Sequence, residues 1–482
     1  MRYTSIPCRE PPAETAAVSA YFSSQIHTLY EQLAAHQVRM AASLAEEGLP
    51  AIDTERGIFL HLKNDRQDFD YYSTPFCHHR KLHAHRLTLE DPETLPQLPF
   101  VRRLFLTQGG TNRHVHEAEH DGVRPISLRS VLECLVRLPG VEEIDCDWLW
   151  EWHPLALSGR GQRHYTRVWE GPWRDARREF GAAMADPEAQ LGYPIPPTLT
   201  RTRLWFWHER CLFEDEQARA MPDLVAPALR DPLCAGLGIL AAQLEELDLR
   251  AYITEDLFPA ADAPVTEQWS RMRRLKIEFH ACRPDGSWYF VGPRGEDPHP
   301  TGYPIPDGNE DGAREFYPPL ETTAEDEELD ELWEDDPWDG HGGEYDADNF
   351  RTEPVAERIE PLLAAFAAAV KSMDALEDAD MFVWLGWCPG HQRQAEYGDA
   401  APYDIEDGTH RWGVRYIAGG NRDSTEGGPR FEWQVGDWRP SERVLKMFEE
   451  LGSQEWLDFK FCSNGSPRAV RYELSNRRHR IY

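Results

Sequence analysis

The chain has 482 residues and a formal net charge of -33, and hydrophobic residues make up 41% of its composition. This apolar content is enough for a large core, which excludes a chain that is disordered throughout. An acidic surface of this size repels nucleic-acid phosphates and anionic lipid, so we expect neither nucleic acid nor a membrane as a partner.

Cysteine usage and the N-terminal sequence bear on the compartment. The nine cysteines are scattered and form no CxxC pair, which is typical of reduced thiols inside the cell. The first residues lack the apolar run of a signal peptide, and no run is long enough to span a bilayer. We therefore expect an intracellular protein, either cytoplasmic or nuclear.

An N-terminal helical segment is predicted for residues 1–56. Within it, residues 14–48 place apolar side chains near helical spacing, which indicates one long amphipathic helix or two shorter ones. Such a helix either packs on the first structural repeat or binds a partner, and both interpretations remain open.

Residues 57–305 repeat one apolar pattern, which is clearest at Leu244, Leu247 and Leu249. This x-x-L-x-L spacing is typical of a leucine-rich repeat, in which a short parallel strand and a backing helix bury faces that neither could bury alone. The same offsets occur at Val101/Leu104/Leu106, Val141/Ile144/Cys146, Met272/Leu275/Ile277 and Leu376/Ala379/Met381.

The repeats are unevenly spaced and interrupted by insertions such as residues 151–197. An α/β enzyme with a parallel sheet is the competing architecture, because strand–helix–strand units of the two kinds look alike in sequence. The strand at 199–207 fits the template poorly, since its leading leucine lies two positions too early. The pattern predicts strands at 57–66, 82–89, 100–106, 141–148, 199–207, 244–250 and 272–279, and helices at 128–138, 174–184 and from 233 onward.

Two further regions follow the repeats. Residues 306–352 form a Gly/Pro-rich acidic loop that we expect to be disordered, since residues 321–348 contain fourteen Asp or Glu and no Lys or Arg. Residues 353–482 continue the sheet and add an antiparallel hairpin, which strict apolar alternation around a glycine-rich connection predicts. Their predicted elements are helices at 356–371 and 442–451 and strands at 381–387, 412–416, 431–435 and 456–461.

The predicted fold class is α/β: a degenerate leucine-rich-repeat-like solenoid with a mainly parallel sheet backed by helices, irregular insertions and an antiparallel hairpin near the C-terminus. If the strands stack in register, the residues that precede the central apolar anchors form one row across the sheet. Charges alternate along that row, and opposite neighbours contribute roughly 0.2–1 kcal/mol per pair. Its members are Arg103, Glu143, Arg203, Glu246, Arg274 and Asp378.

Candidate binding residues lie further along the same strands, on the face that we expect to be exposed. Trp205, Trp207 and Arg250 occupy these positions. Exposed tryptophans are unusual unless they are covered or used for binding, because large aromatic side chains dominate binding energies at interfaces. We therefore expect these three residues to contact a protein partner.

The loop from Arg283 to Tyr289 is a second candidate for recognition. Trp288 and Tyr289 are expected to be exposed in it and to contact a protein partner together with Arg283. A structural turn pinned by Pro284 and Gly286 is the alternative interpretation of this loop.

A possible metal site is carried by His116, Glu117 and His120, which satisfy the H-E-x-x-H pattern. On a helix, this spacing places two imidazoles on one face for zinc, with the glutamate as base. The segment between Gly109-Gly110 and Asp121-Gly122 is too short for such a helix, which favours a solvated polar loop. No phosphate-binding or nucleophile motif accompanies it, so we predict no cofactor.

Three strings in the middle of the chain carry a family resemblance: Glu170-Gly-Pro-Trp-Arg-Asp175, Leu244-Glu-Glu-Leu-Asp-Leu249 and the stretch from His280 to Tyr303. In these the chain resembles a family of uncharacterised filamentous-fungal proteins labelled F-box-like or leucine-rich-repeat-like. The resemblance implies a substrate receptor. The LPxE-type motif with which F-box proteins dock the ubiquitin-ligase adaptor is missing from residues 1–56, so the adaptor is not predicted as a partner.

The sequence thus favours a non-enzymatic protein–protein interaction module over an enzyme. Its partner is expected to be another protein, bound by a curved parallel sheet. A metal-dependent hydrolase that uses His116, Glu117 and His120 is the alternative function.

Overall fold

The structure of the chain is a computed structural model that describes residues 12–47, 57–64, 85–108, 124–147, 149, 151, 170–206, 217–260, 268–317, 324, 348–403, 409–419 and 428–459. It divides into unit 1, which is Met1–Phe206 with Ile305–Glu344, and unit 2, which is Trp207–Pro304 with Tyr345–Tyr482. None of the helices that it describes combines the length and the apolar character needed to cross a bilayer.

Unit 1 begins with one long helix, followed by strands and shorter helices. Its strands lie in the order β1-β2-β3-β4, and every neighbouring pair is parallel. The elements are α1 (Pro12–Glu46), β1 (Ile58–Asn64), β2 (Val101–Gln108), α2 (Leu128–Leu135), β3 (Glu143–Cys146), α3 (Glu170–Ala185), α4 (Pro187–Leu191) and β4 (Arg201–Trp205).

Helix α1 is the single long helix that the N-terminal periodicity allows. Its buried residues Ser19, Ser23, Ile26 and Tyr30 follow helical spacing, and none of the later residues of the helix is buried. The Tyr30 hydroxyl donates to the carbonyl oxygen of Cys134 on α2 at 3.1 Å, so the first half of α1 packs on the body of unit 1.

Unit 2 combines a mixed sheet with two small strand pairs. Strands β6, β7 and β11 are parallel, β12 is antiparallel to both β11 and β13, and β14 is parallel to β13. The elements are β5 (Pro222–Asp223), α5 (Pro232–Ala241), β6 (Glu246–Ala251), β7 (Arg274–Phe279), β8 (Phe290–Val291), β9 (Tyr303–Pro304), β10 (Glu353–Pro354), α6 (Ala356–Ser372), β11 (Asp378–Gly386), α7 (His391–Tyr397), β12 (Thr409–Ile417), β13 (Arg430–Gln434), α8 (Glu442–Glu449) and β14 (Ser453–Trp456).

Helices cover one side of the unit 2 strands. Phe448 of α8 lies 4.9 Å from Phe431 and 4.7 Å from Trp433, measured between ring centroids. Because successive side chains of a strand point to opposite faces, Glu432 between them points to the other side of the sheet. The mixed α/β class, the mainly parallel pairing and the hairpin of β12 and β13 are therefore confirmed.

The in-register stacking of the apolar anchors is confirmed within each unit, with one correction. Leu104 pairs with Ile144, and Leu247 pairs with Leu275. Strand β4 fits the repeat pattern poorly because its central anchor is a threonine. Thr202 pairs with Ile144 and is buried, so it occupies the anchor position. The row of charges consequently contains Arg201, and the prediction of Arg203 at that point is wrong.

Two predicted strands differ from the structure. Of the strand predicted at 82–89, the described part forms only an isolated bridge between Leu87 and Ile126. Its polar backbone is instead bonded to helix side chains, since Ser23 donates to Thr88 O and Ser130 accepts from Leu89 N. The last strand, β14, starts directly after Gly452, three residues earlier than predicted.

The acidic loop predicted at 306–352 carries defined structure at both described ends. Arg174 on α3 donates to the Ile305 carbonyl and forms an ion pair with Asp307 at 2.7 Å. At the other end, Phe350 and Arg351 are fully buried. Apart from residue 324, residues 318–347 lie outside the described part.

Candidate functional site

One face of the unit 1 strands carries arginine and aromatic side chains. Leu60, Leu104 and Leu204 point to the opposite side and are buried. The residues that alternate with them share the open face, because the register pairs them across the strands. We call this surface the Arg-aromatic face; its members are Phe59, His61, Arg103, Phe105, Glu143, Asp145, Arg201, Arg203 and Trp205.

Aromatic rings cluster at the β1 end of the Arg-aromatic face. Phe59 keeps 60% of its surface exposed. Its ring centroid lies 6.5 Å from that of Phe105, and the His61 ring lies 6.1 Å from Phe105. The guanidinium carbon of Arg103 lies 4.6 Å from the centre of the Phe59 ring, which is cation–π geometry.

Salt bridges cross the strands of this face. Glu143 is shared by two arginines, since the same carboxylate oxygen lies 3.3 Å from Arg103 Nε and 3.3 Å from Arg201 Nη2. Arg203 Nε donates to Asp145 Oδ1 at 2.7 Å. Burial raises the pKa of Asp145 to about 6, which the neighbouring Arg203 only partly offsets.

The open face of the unit 2 strands is a ladder of alternating charges instead. The first row is Glu246, Arg274 and Asp378, as predicted. The second row crosses five strands with alternating sign: Asp248, Lys276, Asp380, Arg415 and Glu432. Lys276 Nζ lies 3.2 Å from Asp248 Oδ2, and both side chains remain about a third exposed. Exposed pairs of this kind contribute at most about 1 kcal/mol each.

The three binding residues predicted on the sheet differ in their exposure and placement. Trp205 lies on the Arg-aromatic face, where it is half-buried with the Arg203 guanidinium 4.6 Å from its ring centre. Trp207 lies outside the described residues. The expected exposure of Arg250 is wrong, because it is 2% exposed and forms an ion pair with Glu278 at 3.1 Å. Glu278 is itself flanked by the buried Phe382 on β11, which closes that end of the ladder.

The loop from Arg283 to Tyr289 is a structural turn, and its expected exposure is wrong. Trp288 is 1% exposed and Tyr289 is fully buried, with the Tyr289 hydroxyl donating to Ile253 O at 3.0 Å. Gly286 has a φ of +76°, and a Cβ there would lie 2.5 Å from the Cα of Gly302.

The same loop is held by charged groups. Arg283 Nε donates to Asp285 at 3.1 Å, so its charge is satisfied within the turn. The Trp288 ring lies 4.9 Å from the guanidinium carbon of the buried Arg351, which in turn pairs with Asp297 at 2.7 Å. The aromatic residues of this loop are therefore part of the core of unit 2.

A buried ion pair lies near the ends of β3 and β4 in unit 1. Arg177 on α3 donates to Glu151 at 2.6 Å, and both side chains are fully buried. The Glu151 amide donates to the carbonyl of Phe206, directly after β4. Arg86 nearby donates to the carbonyls of Leu149 and Ile126, and burial lowers its pKa to about 10. Because each charge is paired or bonded to backbone, this cluster ties α3 to the strand ends.

The metal site predicted from His116, Glu117 and His120 lies outside the described residues. Among the residues that the structure does describe, no group of three or more His, Cys, Asp or Glu side chains could hold a metal ion.

Sequence reasoning missed Phe59. The available signal was the alternation of Leu60 and Leu62 with His61, which places Phe59 on the same face as that polar residue. The apolar run Ile58-Phe59-Leu60 obscures this alternation at the start of the strand. No protein-family model, curated protein or solved structure matches this chain.

Proposed function

We propose that this chain is a non-enzymatic protein-binding module, built as a degenerate leucine-rich-repeat-like solenoid, and that it binds another protein through the Arg-aromatic face. The observation that carries the proposal is the exposed Phe59, whose ring centroid lies 6.5 Å from that of Phe105 and 4.6 Å from the Arg103 guanidinium carbon. Aromatic and arginine side chains are the types that dominate binding energy at protein interfaces.

Covering this patch with a partner lowers the free energy of the system. An exposed phenylalanine gains roughly 25 cal/mol for each Å² of apolar surface that a partner removes from water. Arg103 is already held by Glu143 and by the Phe59 ring, so binding would immobilise a side chain that has little freedom left. A substrate-receptor role without a recognisable adaptor-binding motif is part of this proposal.

Comparative affinity capture from the native cell tests the proposal. The Phe59→Ser variant removes the exposed ring, and we expect it to lose about tenfold or more of any specific partner, because one central aromatic anchor contributes 2 kcal/mol or more. The matched control is Tyr21→Ser on α1, since Tyr21 is 69% exposed and belongs to no part of the face. Equal recovery of the same partners by wild type and both variants would contradict the proposal.

A further inference from the structure

We propose that the partner supplies an extended acidic segment that adds to the sheet of unit 1 as a new strand beside β1. This inference rests on the proposed function and deepens it, since it specifies the conformation and charge of what is bound. It follows from three observations on β1 and its neighbour β2.

The first observation is that β1 is an edge strand. Among the described strands, it pairs with β2 alone. The amide of Ile58 donates to Phe100 O at 2.9 Å and therefore points towards β2. The register shift between Ile58 and Phe59 places its extra residue, Arg102, in β2, so backbone direction still alternates along β1, and the N–H and C=O groups of Phe59 and His61 point away from β2.

The second observation is that this edge carries few of the features that prevent strand addition. Natural edge strands are protected by proline, by several charges or by covering segments. Strand β1 has the sequence IFLHLKN, which contains one charged residue, Lys63, and neither proline nor an acidic residue; the irregularity in its pairing is confined to its start, between Ile58 and Phe59. Ile58 and Phe59 keep 38% and 60% of their surfaces exposed. An extended segment could form main-chain hydrogen bonds along this edge, as peptides do in other proteins that bind by strand addition.

The third observation is the charge pattern, which determines the kind of segment. The row across the strands runs Arg201, Glu143, Arg103, and then reaches Phe59 on β1. Glu143 is shared between both arginines. The Nε of Arg103 faces Glu143, while its guanidinium carbon lies over the Phe59 ring, so the guanidinium lies over the edge strand β1. The row thus ends on a positive charge at the edge, which an acidic side chain on the added strand complements.

The test uses two synthetic peptides of the length of β1, seven residues, one alternating valine with glutamate and the other valine with lysine. Binding to the full chain is measured by fluorescence anisotropy. We expect the glutamate peptide to bind about tenfold or more tightly than the lysine peptide, because a hydrogen bond to a charged group contributes about 1.5–3 kcal/mol.

Four substitutions test which groups of the chain cause the peptide binding and its preference for glutamate. His61→Pro removes an outward N–H together with the ring and its 2.7 Å hydrogen bond to Thr107 Oγ1, and His61→Ala, which removes the same ring and keeps the N–H, is its control. We expect the proline variant to bind about tenfold more weakly than the alanine variant. Arg103→Gln should reduce the preference for the glutamate peptide to about twofold. Arg274→Gln, in the equivalent row of unit 2, is the matched control and should change neither value.

The outcomes separate this inference from the proposed function. If Phe59→Ser abolishes partner capture while His61→Pro leaves both capture and peptide binding intact, the face binds a protein but strand addition is wrong. Equal binding of the two peptides would overturn the assignment of an acidic segment. A homodimer in light scattering that His61→Pro dissociates, without peptide binding, would identify a second copy of the chain as the occupant and overturn the proposal.

Discussion

His410 on β12 illustrates at the residue scale how burial controls protonation. Its ring lies between those of Tyr403 and Phe459, with centroid distances of 5.1 Å and 4.4 Å. Burial lowers the pKa of His410 from 6.5 to about 4, because a charged imidazole is poorly solvated there. The folded state therefore binds fewer protons than the unfolded state between these values, and stability falls as the pH is lowered through this window.

The variant His410→Phe should remove this pH dependence while keeping the ring stacking. Between pH 7 and pH 5, we expect wild type to lose about 2 kcal/mol more of its free energy of unfolding than the variant, from the shift in pKa. Urea unfolding of both proteins at the two pH values measures this difference. Equal losses would show that His410 does not titrate in this way.

At the scale of the element, β4 shows that register is decided by more than leucine spacing. Thr202 occupies an anchor position where the neighbouring strand has Ile144, and its hydroxyl is buried without a hydrogen-bond partner in the structure. Four residues earlier, the Thr198 hydroxyl donates to Val141 O at 2.6 Å and so fixes the entry to the strand. One threonine therefore costs stability and the other contributes it.

A matched pair of substitutions tests this account of β4. Thr202→Val should raise the free energy of unfolding by roughly 1 kcal/mol, since it removes an unsatisfied buried hydroxyl at similar volume. Thr198→Val should lower it by roughly 1 kcal/mol, because it removes a hydrogen bond to the backbone. Chemical unfolding at neutral pH measures both values. A loss of stability in Thr202→Val would mean that the hydroxyl is satisfied in solution.

The strands could be predicted well because their apolar anchors are local signals. A strand that buries one face must alternate apolar and polar side chains, so the apolar anchors identify both the strands and their register within each unit. These anchors are Leu104, Ile144, Leu247 and Leu275. Exposure was not predictable in the same way. Whether Arg250 is covered depends on Glu278 and Phe382, which lie 28 and 132 residues further along the chain. The spacing of residues in one sequence does not reveal contacts between segments so far apart.

The candidate site was partly predictable for the same reason. Trp205 could be predicted because two tryptophans in one predicted strand are unusual. Phe59 was missed because Ile58, Phe59 and Leu60 are all apolar, so the alternation of the strand becomes visible only at His61; the pairing with Arg103 then shows which way Phe59 points. Trp288 and Tyr289 were expected to form an exposed recognition pair. Trp288 instead packs against the guanidinium of Arg351, which lies far away in the sequence, so the sequence did not reveal this contact.

Across the whole molecule, the two units present different open faces. The Arg-aromatic face of unit 1 combines four rings with three arginines and two acids, whereas the open face of unit 2 is a ladder of acids and bases of alternating sign. The chain as a whole carries a net charge of -33, which repels acidic partners at long range. Binding of an acidic segment must therefore depend on short-range contacts at the Arg-aromatic face, since salt screens the repulsion from exposed charges that lie more than about 8–10 Å away.

Site-specific photo-crosslinking in the native cell tests the role of the Arg-aromatic face most directly. The crosslinking amino acid p-benzoylphenylalanine is placed in one variant at position 59 and in a control variant at position 21 on α1, both of which are exposed. The account predicts that position 59 yields a discrete crosslinked protein, joined through an extended acidic stretch, that position 21 does not. Crosslinks of equal pattern and yield from both positions would contradict it.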